Sequence, residues 1–312
     1  MTRYLAGRLG QFLIVVGGAL LVVFILLYAI ADPARTMLPV GTPDNVVADF
    51  RARYGFDQPL LVQLGTFFAK AVHFDFGESL WQGGSAIGSV LAHLPATLLI
   101  AIPAVVLGAA AGLVLGTVAA RRPDSGLAQA LNVFAYGVIS VAEFWVGLML
   151  ILIFAVIMGW LPTGGYDPKP ATLVLPVLVL AMKPFAQIFQ LTQSTMVTEY
   201  GKQYVMAARA KGLGEVAVAR EHVIRNAAIP VVTLGFYELG RVFVGTAVIV
   251  EVVFAWPGIG RLAVGALEHG DVFLVQAIVA VAAIVVAGLN LGADLLYFRL
   301  DPRTRSVLKG GS

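Results

Sequence analysis

The sequence contains no cysteine, so disulfides, thiolate metal sites and cysteine nucleophiles are excluded. Charge is scarce as well: Asp, Glu, Lys and Arg make up 12% of 312 residues, and the formal net charge of +3 is too small an excess for a nucleic-acid footprint. Histidine occurs only at His73, His93, His222 and His269, too far apart for a local ligand pair, so no metal or cofactor is expected on this chain. Apolar residues fill the rest, 59% of the total, and the mean hydropathy is +0.88. Such a mixture cannot build a water-soluble surface, and the chain reads as an all-α polytopic membrane protein. Its 34 glycines and 15 prolines are scattered through apolar runs, as membrane helices allow, instead of gathering in low-complexity segments.

A helix needs roughly 20 mostly apolar residues to cross a bilayer. Six stretches qualify, at residues 9–31, 94–120, 131–158, 173–196, 229–254 and 272–296. An even number puts both termini on one side. Most of the 21 Lys and Arg residues flank the spans on that side, whereas the short opposite loops hold Lys169 and Arg261 alone. Arg35, Arg51, Arg53 and Lys70 belong to a long first loop, which weighs little in setting orientation, so both termini are expected in the cytoplasm. The first apolar run is longer than a secretory signal core and is expected to be retained as a span.

This divides the chain into a cytoplasmic N-terminus with the first span (1–31), an extracytoplasmic helical segment (32–93), a five-helix core (94–296) containing a cytoplasmic loop (197–228), and a cytoplasmic tail (297–312). Within the external segment, Thr42-Pro43-Asp44 marks a helix start with Val46, Val47, Phe50 and Tyr54 at helical spacing. After Gly55, a second run starts near Pro59 with Leu61, Leu64, Phe68, Ala71 and Val72 on one side. In the second span, Gly108, Gly112 and Gly116 recur every fourth residue, a stripe that lets a neighbouring helix approach closely. Pro103, Pro176, Pro184 and Pro230 interrupt or begin helices and offer hinges.

Ionisable residues inside or near the spans are costly and must face protein or water. They are Glu143, Lys183, Glu238, Arg241, Glu251 and Asp294. Glu238 and Arg241 stand three apart on one helical face and are placed to pair, while Glu143 and Lys183 are placed to pair between helices. Two roles fit these four, structural pairing or lining a hydrated path. Glu251 and Asp294 lie near span ends, where interfacial placement is expected.

The loop at 197–228 is too long for a simple turn and contains Tyr204-Val205-Met206-Ala207-Ala208-Arg209-Ala210-Lys211-Gly212-Leu213-Gly214. Alanine favours helix on either side of a break, and Gly212 and Gly214 supply the backbone freedom for a sharp change of direction. The expected product is a short helical knob with Arg209 and Lys211 free to reach a partner's carboxylates.

This loop resembles that of the membrane-spanning permease subunits of bacterial binding-protein-dependent ABC importers, which reads E-A-A-x-x-x-G followed by I-x-L-P. Here Met206 replaces the glutamate and Arg225 the closing proline. The peptide branch of that family commonly carries A-R-A-K-G-L and then R-H-x-x-R-N-A-x-x-P; residues 208–213 match the first, and residues 221–230 match the second except at Glu221. Further stretches resemble the B-type dipeptide/oligopeptide/nickel subunit. They are Arg3-Tyr4-Leu5, Tyr54-Gly55-Phe56-Asp57-Gln58-Pro59-Leu60, Asp75-Phe76-Gly77-Glu78-Ser79-Leu80, Leu94-Pro95-Ala96-Thr97-Leu98, and the run from Glu251 through Trp256-Pro257-Gly258 to Arg261.

The resemblance implies the type I ABC importer membrane-domain fold and a role as permease for short peptides, with nickel chelates, glutathione or opines as alternative cargo. It also implies a second, homologous permease subunit, two ATP-binding cassette subunits and an extracytoplasmic solute-binding protein. No G-x-x-x-x-G-K-[ST] occurs, since Gly201-Lys202 is followed by Gln203, so ATP and Mg are expected on partner subunits and this chain is not expected to be an enzyme. By the same resemblance Ala207, Ala208, Arg209, Ala210, Lys211, Gly212, Leu213 and Glu215 are the residues expected to couple to an ATPase subunit. Glu143, Lys183, Glu238 and Arg241 remain the candidates for lining the path. An ion-coupled secondary transporter gives no reason for the glycine-bent loop, and an intramembrane enzyme would need a G-x-S-x-G, an H-E-x-x-H or a Ser/His pair that the sequence does not offer.

Overall fold

Outside the expected spans, proline and glycine set where helices begin and end. In the computed structural model, which describes residues 2–30, 32–167, 169–210 and 224–300, the chain divides into two units. Met1–Leu98 with Ala255–Gly288 form one, and Leu99–Phe254 with Leu289–Ser312 the other.

In the first unit, helix α1 (Thr2–Phe24) continues as a π-helical segment, Ile25–Ile30. Its Leu9, Leu13, Ile14, Val15 and Val22 are exposed, as suits a helix surrounded by lipid. Asp32 caps α2 (Pro33–Met37) and also pairs with Arg51 of α3 (Asp44–Tyr54). Pro43 precedes α3 and Pro59 precedes α4 (Leu60–Val72), so both expected external helices form where their prolines place them. Gly55, at φ 74°, ends α3 in the left-handed region that glycine adopts without strain.

Phe67 is the buried residue of α4, with Gln63, Leu64, Phe68 and Ala71 half-buried and Leu61 and Val72 exposed. Gln63 ties the helix to the preceding loop, its side-chain nitrogen donating to the Phe56 carbonyl at 3.2 Å and the Gln58 carbonyl at 2.6 Å, which satisfies loop carbonyls that would otherwise lack a donor. Helix α12 (Ile259–Glu268) and the start of α13 (Val272–Leu300) complete this unit, together with the start of α5 (Ala86–Arg121). An isolated bridge between Glu78 and Ser85 is the one β pairing among the described residues.

The second unit contains the rest of α5 and then α6 (Gly126–Ser140), α7 (Glu143–Leu150, extended by a π-helical Ile151–Ile157), α8 (Ala171–Tyr200) and α9 (Gln203–Ala210). It ends with α10 (Ile224–Arg241), which runs through a π-helical Val242–Thr246 into α11 (Ala247–Val253), and with the end of α13. Among the described residues four helices are long and apolar enough to cross a membrane: Ala6–Tyr28, Ala86–Arg121, Ala171–Tyr200 and Val272–Leu296. The expected third span is not one straight helix. Gly126–Ser140 and Glu143–Ile157 meet at 104°, because Val141 and Ala142 adopt extended backbone angles between them. The fifth expected span is helical throughout its described length but carries Glu238, Arg241 and Glu251 within it.

The glycine stripe is a seam between α5 and α8. A Cβ on Gly108 would lie 2.6 Å from the Ala181 carbonyl oxygen, on Gly112 2.8 Å from that of Phe185, and on Gly116 2.9 Å from that of Phe189. No larger residue fits, so the two backbones touch over three successive turns. Beside this seam, Phe185, Ala186 and Phe189 of α8 pack with Ala128, Ala135 and Val138 of α6 and Ala119 of α5 into a buried cluster.

Candidate functional site

Helix α7 begins at Glu143, directly after the sharp bend, so its carboxylate sits in the first turn, where the helix dipole favours a negative charge. Lys183 of α8 places its Nζ 2.8 Å from Glu143 Oε1. Within α10, Arg241 Nη1 lies 2.9 Å from Glu238 Oε1, and Lys183 is also close enough to act electrostatically on Glu238. The four residues singled out in the sequence therefore form two ion pairs in the second unit, Glu143 with Lys183 and Glu238 with Arg241. Glu238 is 1% exposed and Glu143 9%, which a carboxylate tolerates only when it is paired. Their ammonium and guanidinium partners keep more solvent access, at 25% and 38% of the side chain.

Glu251, expected near an interface from its place towards the end of a span, is fully buried within the protein. The position of a residue near the end of an apolar run reports depth along a helix, not the face it occupies.

The junction of α8 and α9 is built around a residue that the sequence patterns did not single out. Glu199, in the last turn of α8, is buried and accepts from the Tyr204 hydroxyl at 2.5 Å and from the Lys202 ammonium. These contacts fix the start of α9 against the end of α8, with Val205 fully buried at the junction. Ala207, Ala208, Arg209 and Ala210 are in the α9 helix, as expected for the first arm of the knob. Lys211, Gly212, Leu213 and Glu215 lie outside the described residues. The signal for Glu199 was available, since an acidic residue five before a tyrosine and three before a lysine at a helix end invites such a clamp.

In the first unit the motif-bearing stretches meet one another. The Trp256 indole is 1% exposed and donates to the Ala96 carbonyl at 2.8 Å, and the Ile259 amide donates to Thr97 Oγ1 at 2.8 Å. Ala255 turns the chain into this position at φ 50°, a strained value for a residue with a side chain. Asp271 was not singled out in the sequence, yet it is 2% exposed and joins two segments, the loop at Ser79 and Trp81 and the start of α13. It accepts from the Leu274 amide at 3.0 Å, from Ser79 Oγ at 2.6 Å and from the Trp81 amide at 3.1 Å. The Trp81 ring stacks on His269 at 4.5 Å between centroids and covers Gly265, where a Cβ has no room. These contacts hold the segments of the first unit together, whereas the four ionisable residues singled out in the sequence lie in the second unit.

Residues 112–306 match the family described as binding-protein-dependent transport system inner membrane component. Over 97% of its length the chain is 31% identical to an oligopeptide transport system permease protein, AppB, of Bacillus subtilis, covering 99% of that protein. It is 32% identical to a di/tripeptide transport system permease protein, DppB, of Pseudomonas aeruginosa, across 98% of this chain and 99% of the relative. A glutathione transport system permease protein, GsiC, of Escherichia coli is 33% identical across 88% of this chain and 89% of its own. Among solved structures, a chain of the MetNI methionine ABC transporter in an inward-facing conformation superposes with a TM-score of 0.52 at 18% identity, covering 68% of this chain and 96% of that one.

Proposed function

This chain belongs to the family of binding-protein-dependent transport system inner membrane components and has the membrane fold of an ABC importer, and from that premise we propose that it forms half of a translocation path for short peptides. It is a multi-pass protein of the plasma (inner) membrane and a permease subunit, not an ATPase. The observation that carries the peptide reading is the end-to-end match, at 31% and 32% identity, to permeases of oligopeptide and di/tripeptide systems.

In this reading the partners are a second, homologous permease subunit related by a pseudo-twofold axis, two ATP-binding cassette subunits that hold ATP and Mg, and an extracytoplasmic binding protein that delivers cargo. Six spans place both termini in the cytoplasm. Ala207 through Leu213 and Glu215 form the coupling element, seated on an ATPase subunit, with Arg209 and Lys211 reaching its carboxylates. Closure of the ATPase pair on ATP pushes this element, the Glu199 clamp passes the displacement into α8, and the path opens to the outside; hydrolysis reverses it. Glu143, Lys183, Glu238 and Arg241 border the path as a self-neutralised group, so that a charged peptide meets no isolated counter-charge strong enough to hold it.

The test is uptake by the complete importer in proteoliposomes, with binding protein outside and ATP inside. Labelled di- and tripeptides are expected to accumulate only with ATP, and accumulation that follows an ion gradient without ATP would overturn the reading. Glutathione belongs in the same assay, given the 33% identity to GsiC, and its preference over α-linked peptides would reassign the cargo.

A further inference from the structure

Helix α8 has two faces with opposite chemistry. Ala181, Pro184, Phe185, Ile188 and Phe189 meet the glycine seam, whereas Lys183, Gln187, Gln190 and Ser194 recur at intervals of four, three and four on the other side. Gln187, Gln190, Gln193 and Ser194 line an open groove with Asn132 and Tyr136 of α6, and four apolar side chains complete its lining, Leu234 of α10 among them. Among the described residues no charged side chain lines it. Gln190 Nε2 is buried without a hydrogen-bond partner among the described residues, and Asn132, Gln187 and Gln193 are half-buried beside it. Four carboxamides do not persist on membrane helices against hydrocarbon, because nothing there replaces their lost hydrogen bonds. Their surroundings must therefore be water or a molecule able to donate and accept.

We propose that this groove is the surface on which the cargo moves, and that it recognises the peptide backbone while ignoring the side chains. The proposal rests on the peptide-importer reading above. A carboxamide carries the same donor and acceptor as a peptide bond, so a ladder of them exchanges hydrogen bonds with the main chain of any peptide. Having no charge, the groove holds Lys-rich and Glu-rich cargo alike and traps neither. The ladder starts one turn beyond Lys183, next to the paired charges, and runs along α8 toward the Glu199 clamp.

The absence of cysteine from this chain makes the test direct. Gln187→Cys and Gln193→Cys, placed singly in the assembled importer in proteoliposomes, are treated with a water-soluble methanethiosulfonate, and modification of this subunit is followed by its mass. Leu178→Cys, an exposed apolar site on the same helix, is the lipid-facing control. The groove thiols are expected to react about tenfold or more faster than the control, because only a hydrated thiol ionises. Trialanine is expected to slow that reaction, Ala-Lys-Ala and Ala-Glu-Ala to slow it equally, and an N-methylated trialanine to lose the protection. Reaction no faster than the control, access only in the isolated subunit because the second permease covers the groove, or protection that follows side-chain charge would each overturn the proposal. If the unmodified importer takes up peptides while the groove thiols stay unprotected, this inference alone fails; if it takes up no peptide, the functional reading fails with it.

Discussion

Lys183 Nζ and Glu143 Oε1 stand 2.8 Å apart, joining α8 to the first turn of α7 just past a 104° bend. The pair connects the helix that bears the carboxamide face to the one segment whose direction the hydropathy pattern does not reveal. Its two charges come from separate helices, so the bend and the pair support each other: without the bend Glu143 would not begin a helix, and without Lys183 it could not stay buried.

Lys183→Met should therefore be more harmful than removing both partners. Leaving Glu143 uncompensated is expected to cost about 3 kcal/mol, the low end for a broken buried pair because Lys183 keeps partial solvent access. Glu143→Gln combined with Lys183→Met should recover most of that loss. Thermal unfolding of the purified importer checks the order, and a double variant no better than Lys183→Met would show that the pair is not the source of the effect.

Gly112→Leu is expected to force α5 and α8 apart, since even a methyl group there would sit 2.8 Å from the Phe185 carbonyl oxygen and 2.9 Å from the Phe189 nitrogen. Overpacking of this kind costs about 1–3 kcal/mol or more. Gly126→Ala, at a glycine with open space around it, is the control and should leave yield and melting temperature unchanged.

Glu199→Gln weakens the clamp on Lys202 and Tyr204 without removing volume. ATP hydrolysis by the assembled importer should persist while peptide uptake per ATP falls several-fold, the mark of lost coupling. Gly212→Val should give the same signature by a different route, since it removes the backbone freedom that the sequence supplies at the proposed coupling element. Unchanged uptake in both variants would count against the coupling assignment.

Asp271→Ala removes the acceptor shared by Ser79, Trp81 and Leu274. Leaving buried donors unsatisfied is expected to cost about 1–3 kcal/mol, read as a lower melting temperature. Because Asp271 lies among the contacts that hold the first unit together, the ATP requirement of whatever uptake remains should be unaltered.

How far the sequence alone reached follows from the range of each signal. The external helices, the glycine seam and both ion pairs were legible because proline, a four-residue spacing and the cost of buried charge act locally or leave one sensible partner. The bend at Val141 and Ala142 was not, since neither residue interrupts an apolar run and hydropathy carries no direction. The hydrogen bonds from Gln63 to the Phe56 and Gln58 carbonyls are reported by no periodicity. The carboxamides of α8 were diluted by the 30 residues of an otherwise apolar helix, and their shared face emerges only once α6 is seen beside them. The meeting of Trp256 with Ala96, and of Asp271 with Ser79, spans separations of 160 and 192 residues, beyond any local pattern.

The contact at Gly108, Gly112 and Gly116 has a mechanical meaning. Two rods that touch main chain to main chain at three levels have no compressible layer between them and cannot slip without a steric collision at every level. They move as one body, so in the transport cycle proposed above a displacement at the Glu199 end of α8 carries α5 with it, and any change of angle falls on the joints elsewhere in this unit.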